Sequence, residues 1–178
     1  MKIRTELIHF SEALQLECGE TLDSFDLMIE SYGELNESKS NAILVCHAFS
    51  GNHHVAGENK ELGIGWWDQI VGPKKAIDTD KYYVVCCNNL GGCAGSSGPT
   101  SINKKTGKVF GKDFPQVSVS DWVNSQKILM DKLEISSWHF VVGGSLGGMQ
   151  ALQWSIAYPN HIKKAGIFAA AAKSSTQN

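Results

Sequence analysis

The sequence predicts an α/β fold: a mostly parallel sheet covered on both faces and entered through an N-terminal β-hairpin. Three observations carry the prediction. Asn41–Cys46 and Lys81–Cys87 are continuous apolar runs of strand length, as expected of strands buried on both sides. Val119, Trp122, Leu129 and Leu133 recur at helical spacing, ahead of a third β-branched and aromatic run at Trp138–Val142. That third run ends in glycines around one serine and passes at once into a second helical pattern, with Met149, Leu152 and Ile156 at offsets of three and seven. Apolar strands alternating with helices make a parallel sheet.

At the N-terminal end, Leu14, Leu16 and Cys18 alternate with polar residues, Gly19-Glu20 breaks the run, and Phe25, Leu27 and Ile29 alternate again. This predicts an antiparallel hairpin with one face inward. Gly33 to Ser40 is a polar loop. The strand at Asn41–Cys46 runs into His47-Ala48-Phe49-Ser50-Gly51, followed by His53 and His54. The glycine-rich stretch from Gly51 to Asp80 is expected to be a functional loop with short helical pieces. Lys81–Cys87 leads into Asn88-Asn89-Leu90-Gly91-Gly92-Cys93 and a Gly/Ser/Pro stretch, and Asn103 to Pro115 is polar and turn-rich. Ser118, with Asp121 three residues on, predicts a capped helix start, and Gln126 is the polar exception on that helix's apolar stripe. Pro159 stops the second helix. Ala165 to Ala172 reads as one more strand, although its alanines also permit a helix.

Gly143-Gly144-Ser145-Leu146-Gly147 sits between a strand and a helix, which is the context of the nucleophile elbow in the α/β-hydrolase fold. The same five letters also suit a glycine-rich structural turn; the strand–turn–helix setting favours a nucleophile. A Cβ at Gly143 or Gly147 would crowd the neighbouring strand and helix. Ser145 would stand at a helix N-terminus, where free N–H groups and the helix dipole favour developing negative charge. The backbone N–H groups of Leu146 and Phe49 are the expected oxyanion hole. A base is the missing part. In this fold the acid and the histidine follow the serine along the chain. Here no Asp or Glu follows Glu134, and His161 lies at the far end of the elbow helix, roughly 20 Å from Ser145 at the helical rise. The fold is therefore expected to be truncated after the strand that follows the elbow.

Composition narrows the class further. With 178 residues, 42% hydrophobic and 19% charged, the chain suits one globular domain, taken as a partial catalytic domain over 1–178. A formal net charge of −2 and the lack of a basic run argue against nucleic acid, and no apolar stretch approaches bilayer length. The polar N-terminus is not a signal peptide, and five cysteines, three of them in apolar runs, point to reduced thiols in the cytoplasm. His53 and His54 have no third ligand at suitable spacing, so a polar active-site loop is preferred to a metal site. His47 is expected to pack under the oxyanion loop, and Cys93 to be a buried structural thiol. Trp66 and Trp67 suit either a substrate passage or packing of the long loop, and Asp68, Asp78 and Asp80 suit turns.

A set of longer motifs is far more specific than the elbow. Cys46–Gly51, Gly65-Trp66-Trp67-Asp68 with Gly72-Pro73, Asn89–Cys93 with Gly98-Pro99, Ser101-Ile102-Asn103, Gly143–Gln150 and the closing Ser175-Thr176-Gln177-Asn178 occur in this order along the chain. The sequence resembles the N-terminal half of the homoserine O-acyltransferase family. That resemblance implies transfer of an acyl group from acyl-CoA, as co-substrate, to the hydroxyl of L-homoserine in methionine biosynthesis, with Ser145 carrying the acyl group in a ping-pong cycle. It implies no cofactor, and homodimers for full-length members. Leu146, Asn88-Asn89-Leu90, Ser96-Ser97-Gly98, Asp121-Trp122-Val123 and Gln153-Trp154 resemble succinyl-type members more than acetyl-type ones. The family's triad acid and histidine, and the arginine for the homoserine carboxylate, fall beyond Asn178. Two other readings follow from the same residues: a catalytically silent truncated remnant, and a serine esterase of the same fold.

Overall fold

A computed structural model describes residues 1–173; the Ser175–Asn178 motif lies outside the described residues. One six-stranded sheet forms the frame: β1 (Ile3–Phe10), β2 (Phe25–Tyr32), β3 (Ala42–Cys46), β4 (Tyr83–Cys87), β5 (Phe140–Gly144) and β6 (Ala165–Phe168). Their order across the sheet is β1-β2-β4-β3-β5-β6. β1, β2 and β4 pair antiparallel, whereas β4, β3, β5 and β6 run parallel. Every residue of β3 and β4 is buried, which is why their sequences read as unbroken apolar runs.

The N-terminal hairpin differs from the sequence expectation. β2 pairs over its whole length with β1, Phe10 opposite Phe25 and Ile3 opposite Tyr32. Leu14–Gln15 instead forms a two-residue ribbon with Thr21–Leu22. β1 is an edge strand whose first five residues are exposed, and only Ile8 and Phe10 turn into the core. Such a strand has almost no hydrophobic alternation to read.

Two helices, α1 (Val119–Lys132) and α2 (Leu146–Ala157), lie on one face. Their core joins Leu27, Leu44, Val85 and Val141 of the sheet to Val123, Leu129, Ala151 and Trp154. The opposite face carries Ile43, Val45, Val84 and Val142, and it is covered by the 51–80 connection through Val55, Ala56, Val71 and Ile77. This connection holds paired two-residue strands, Glu58–Asn59 with Gly63–Ile64 and Val71–Gly72 with Ile77–Asp78, in place of the expected helical pieces.

α1 starts as its sequence predicts. Ser118 Oγ accepts from the Asp121 N–H at 3.2 Å, and Asp121 Oδ2 accepts from the Ser118 N–H at 2.8 Å, so two otherwise orphaned donors are satisfied reciprocally. Asp121 Oδ1 also accepts from the Glu17 N–H at 2.9 Å, tying the helix start to the N-terminal ribbon. The ambiguous alanine-rich run resolves as strand β6, and Pro159 opens a short 3-10 turn that ends α2.

Candidate active site

β5 delivers the chain to Ser145, whose φ of 54° and ψ of −123° lie outside the regions ordinary residues favour. Two contacts hold this strained turn. The Ser145 N–H donates to the Phe168 carbonyl of β6 at 3.0 Å, and the Ser145 carbonyl accepts from the Met149 N–H at 3.1 Å. Glycine is required on both sides of it. A Cβ at Gly143 would overlap the Gly147 backbone, and one at Gly147 would overlap the Cys46 carbonyl. α2 can therefore start directly against the end of β3. Ser145 is the N-cap residue of α2, exposed, with its hydroxyl uncommitted to capping.

The strand-end loops meet at one cavity of about 250 Å³. Phe49 and Leu146, the two residues expected to supply oxyanion N–H groups, both line it, together with His47, Asn89, Cys93 and Trp122. The Phe49 side chain is 87% exposed, so the residue contributes to the cavity from its rim. Convergence at the carboxyl ends of parallel strands is what this topology provides.

His47 is buried and both of its ring nitrogens are engaged. Nδ1 donates to the Ala48 carbonyl at 2.7 Å, and Nε2 accepts from the Asn89 N–H at 3.1 Å. That pattern requires the neutral ring, and burial pushes its pKa below the ordinary histidine value. His47 thus joins the loop after β3 to the loop after β4 and is no base for Ser145. His161 is no base either: at the opposite end of α2, its Nδ1 pairs with the Ser136 carbonyl at 3.0 Å.

Beneath the elbow runs a buried polar network that sequence reasoning marked only by the odd Gln126. Gln126 Nε2 donates to Gln150 Oε1 at 2.6 Å, and Trp154 Nε1 donates to Gln126 Oε1 at 2.7 Å. Gln150 Nε2 reaches the His47 carbonyl at 3.4 Å. α1, α2 and the loop after β3 are locked together by amides that water does not reach.

Several expectations are corrected. Cys93 is exposed on the cavity loop and is not a buried structural thiol. His54 belongs to a buried clamp and not to the active-site loop: its Nδ1 pairs with Glu30 Oε2 at 2.7 Å and its Nε2 with the Gly63 carbonyl at 3.1 Å. Tyr32 donates to the same carboxylate and accepts from the Val55 N–H at 2.6 Å, and Thr5 donates to Glu30 Oε1 at 2.7 Å. This clamp fastens the 51–80 connection to the sheet. Trp66 and Trp67 pack on that same face, the former donating from Nε1 to the Asn52 carbonyl at 2.9 Å. Asp68 and Asp78 accept from the backbone N–H groups of Gly57 and Lys74, which hold their carboxyls below the usual range. Among the described residues, no cluster of three or more His, Cys, Asp or Glu could hold a metal ion.

With this geometry in place, residues 41–174 match the family model described as alpha/beta hydrolase fold. The chain belongs to that family. It is 58% identical over 178 residues to the homoserine O-succinyltransferase of Neisseria gonorrhoeae, covering 99% of this chain and 47% of that one. Among solved structures, the homoserine O-acetyltransferase of Bacillus anthracis superposes with a TM-score of 0.86 at 36% identity, over 93% of this chain and 46% of that one. Esterase E22 superposes with a TM-score of 0.89 at 38% identity, over 99% of this chain and 50% of that one. The chain spans about half the length of the curated relatives it matches. Among the described residues, no helix of this family member is long and apolar enough to cross a membrane.

Proposed function

We propose that this chain carries the nucleophile half of a homoserine O-acyltransferase. Ser145 attacks the thioester of an acyl-CoA, CoA leaves, and the acyl-Ser145 ester is passed to the hydroxyl of L-homoserine. The Leu146 and Phe49 N–H groups stabilise the oxyanion of each tetrahedral intermediate, a contribution of about 3 kcal/mol per donor in such sites. The observation that carries the reading is a strained Ser145 at the head of α2, in a chain 58% identical along its length to a homoserine O-succinyltransferase. That name also favours succinyl-CoA over acetyl-CoA as donor. The general base and its carboxylate partner come from polypeptide outside 1–178, and the working protein is a cytoplasmic homodimer that needs no cofactor.

The esterase E22 likeness supports a second reading, in which water replaces homoserine. A steady-state assay of the full-length protein separates the two. The proposal expects homoserine to accelerate CoA release from succinyl-CoA many-fold, and Ser145→Ala to abolish it. CoA release indifferent to homoserine would favour the hydrolase, and release that survives Ser145→Ala would remove the nucleophile. The 178-residue chain alone is expected to show no sustained turnover, since His47 and His161 are both committed elsewhere.

A further inference from the structure

β1 ends the six-stranded sheet, and among the described residues no strand pairs with its outer side. Its register with β2 fixes which backbone groups point outward. The Lys2 carbonyl accepts from the Gly33 N–H at 3.0 Å, so Lys2, Arg4, Glu6 and Ile8 turn their backbone groups towards β2. Ile3, Thr5 and Leu7 therefore present their N–H and C=O groups to the open side, and residues 3–7 are exposed throughout. Edge strands are usually blunted by a proline, a bulge or lysines. β1 runs eight residues in unbroken register with none of these.

The edge is complementary to itself. With two copies of β1 laid antiparallel about a two-fold axis at Thr5, Arg4 faces the partner's Glu6 and Ile3 faces the partner's Leu7. Thr5 with its own copy, and Ile3 with Leu7 on either side, are then the outward pairs that exchange N–H···O bonds. Arg4 and Glu6 fall at the non-hydrogen-bonded positions, where Cα atoms approach to about 4.5 Å and side chains lie closest. Both charges are available. Glu6 has no ion-pair partner among the described residues, and Arg4 has only a 3.5 Å contact with Glu34. Leu7 and Ile3, 53% and 38% exposed, would cover each other. Neighbouring registers lose the match. An axis at Arg4 or Glu6 sets like charges opposite, one at Ile3 sets Arg4 against Lys2, and one at Leu7 sets both charges against apolar side chains.

The geometry points to the outer edge of β1 as a docking surface for β1 of a second copy of this chain, in the register centred on Thr5. Two six-stranded sheets thereby join into one. The ribbon is far smaller than a standard interface, so the association is weak and reversible. It stands apart from the acyl-transfer chemistry, since no residue of β1 lines the cavity shared by Phe49 and Leu146.

Two measurements on the full-length protein test it. Arg4→Cys and Glu6→Cys proteins are oxidised separately and as a mixture, with wild type as the background for the exposed Cys18 and Cys93. Only the mixture should give a new disulfide-linked dimer, traced by peptide mass spectrometry to the two introduced thiols. Sedimentation equilibrium then follows self-association of charge-reversed variants. Arg4→Glu alone and Glu6→Arg alone should each weaken it about 10-fold, because the axis repeats every like-charge pair, and R4E/E6R together should restore it to within a few-fold. No extra cross-link in the mixture, or equal cross-linking of either variant by itself, would overturn the inference. So would self-association that neither reversal weakens or that the double variant fails to recover. Homoserine-dependent CoA release, read in parallel, should be unchanged by the reversals, so this inference and the proposed function fail separately.

Discussion

Gly147 shows how much of the site is decided by a missing atom. The Cys46 carbonyl at the end of β3 occupies the space where its Cβ would be, and backbone atoms cannot swing aside as side chains do. Gly147→Ala should therefore cost about 2–3 kcal/mol in urea unfolding and displace the elbow, with activity lost alongside stability. Gln126 makes the complementary case. Gln126→Leu keeps the volume but leaves the Trp154 indole N–H and the Gln150 amide oxygen buried without partners, an expected loss of about 2–4 kcal/mol by denaturant titration. Both effects were partly legible in the sequence. The glycines announce a close approach, and a glutamine inside an apolar helical stripe announces a partner. Which partner it has could not be read, because Gln150 and Trp154 sit on another helix.

At the scale of elements, β3, β4 and β5 were visible because burial on both faces leaves an unbroken apolar signal, and α1 because its cap and stripe agree. β1 was invisible because an edge strand with one wet face has little pattern to show. The 51–80 connection is hard to read for a different reason: its anchor is the contact of His54 with Glu30, 24 positions apart in sequence, a pairing no local spacing encodes. That pair is 3% and 1% exposed, so removing the imidazole leaves the buried Glu30 carboxylate to the Tyr32 and Thr5 hydroxyls alone, without its one ring partner. His54→Ala should lower stability by about 3–5 kcal/mol and open the connection to limited proteolysis before the sheet unfolds. Retained protease resistance would show that apolar packing alone secures it.

Across the whole molecule, three histidines set an acid limit. Burial pushes His47, His53 and His139 below the ordinary value of 6.5. Between their folded values and 6.5 the unfolded chain binds more protons than the folded one, so stability falls as pH drops through 6.5 and is fully present above it. The urea midpoint should be level above pH 7 and decline towards pH 5, above the range in which Asp68 and Asp78 release their own contributions. A midpoint that rises over this interval would contradict the buried neutral rings. At the same scale, the strained turn at Ser145 and the cavity at the strand ends lie in this chain, and among the described residues His47 and His161 are both hydrogen-bonded away from Ser145.

The most direct measurement is intact-protein and peptide mass spectrometry of the full-length protein mixed with succinyl-CoA and quenched before and after homoserine is added. A succinyl adduct on the peptide containing Ser145, cleared by homoserine much faster than by water and missing in Ser145→Ala, is the result expected here. Turnover with no adduct on that peptide, or an adduct that forms equally well in Ser145→Ala, would contradict the acyl-serine mechanism.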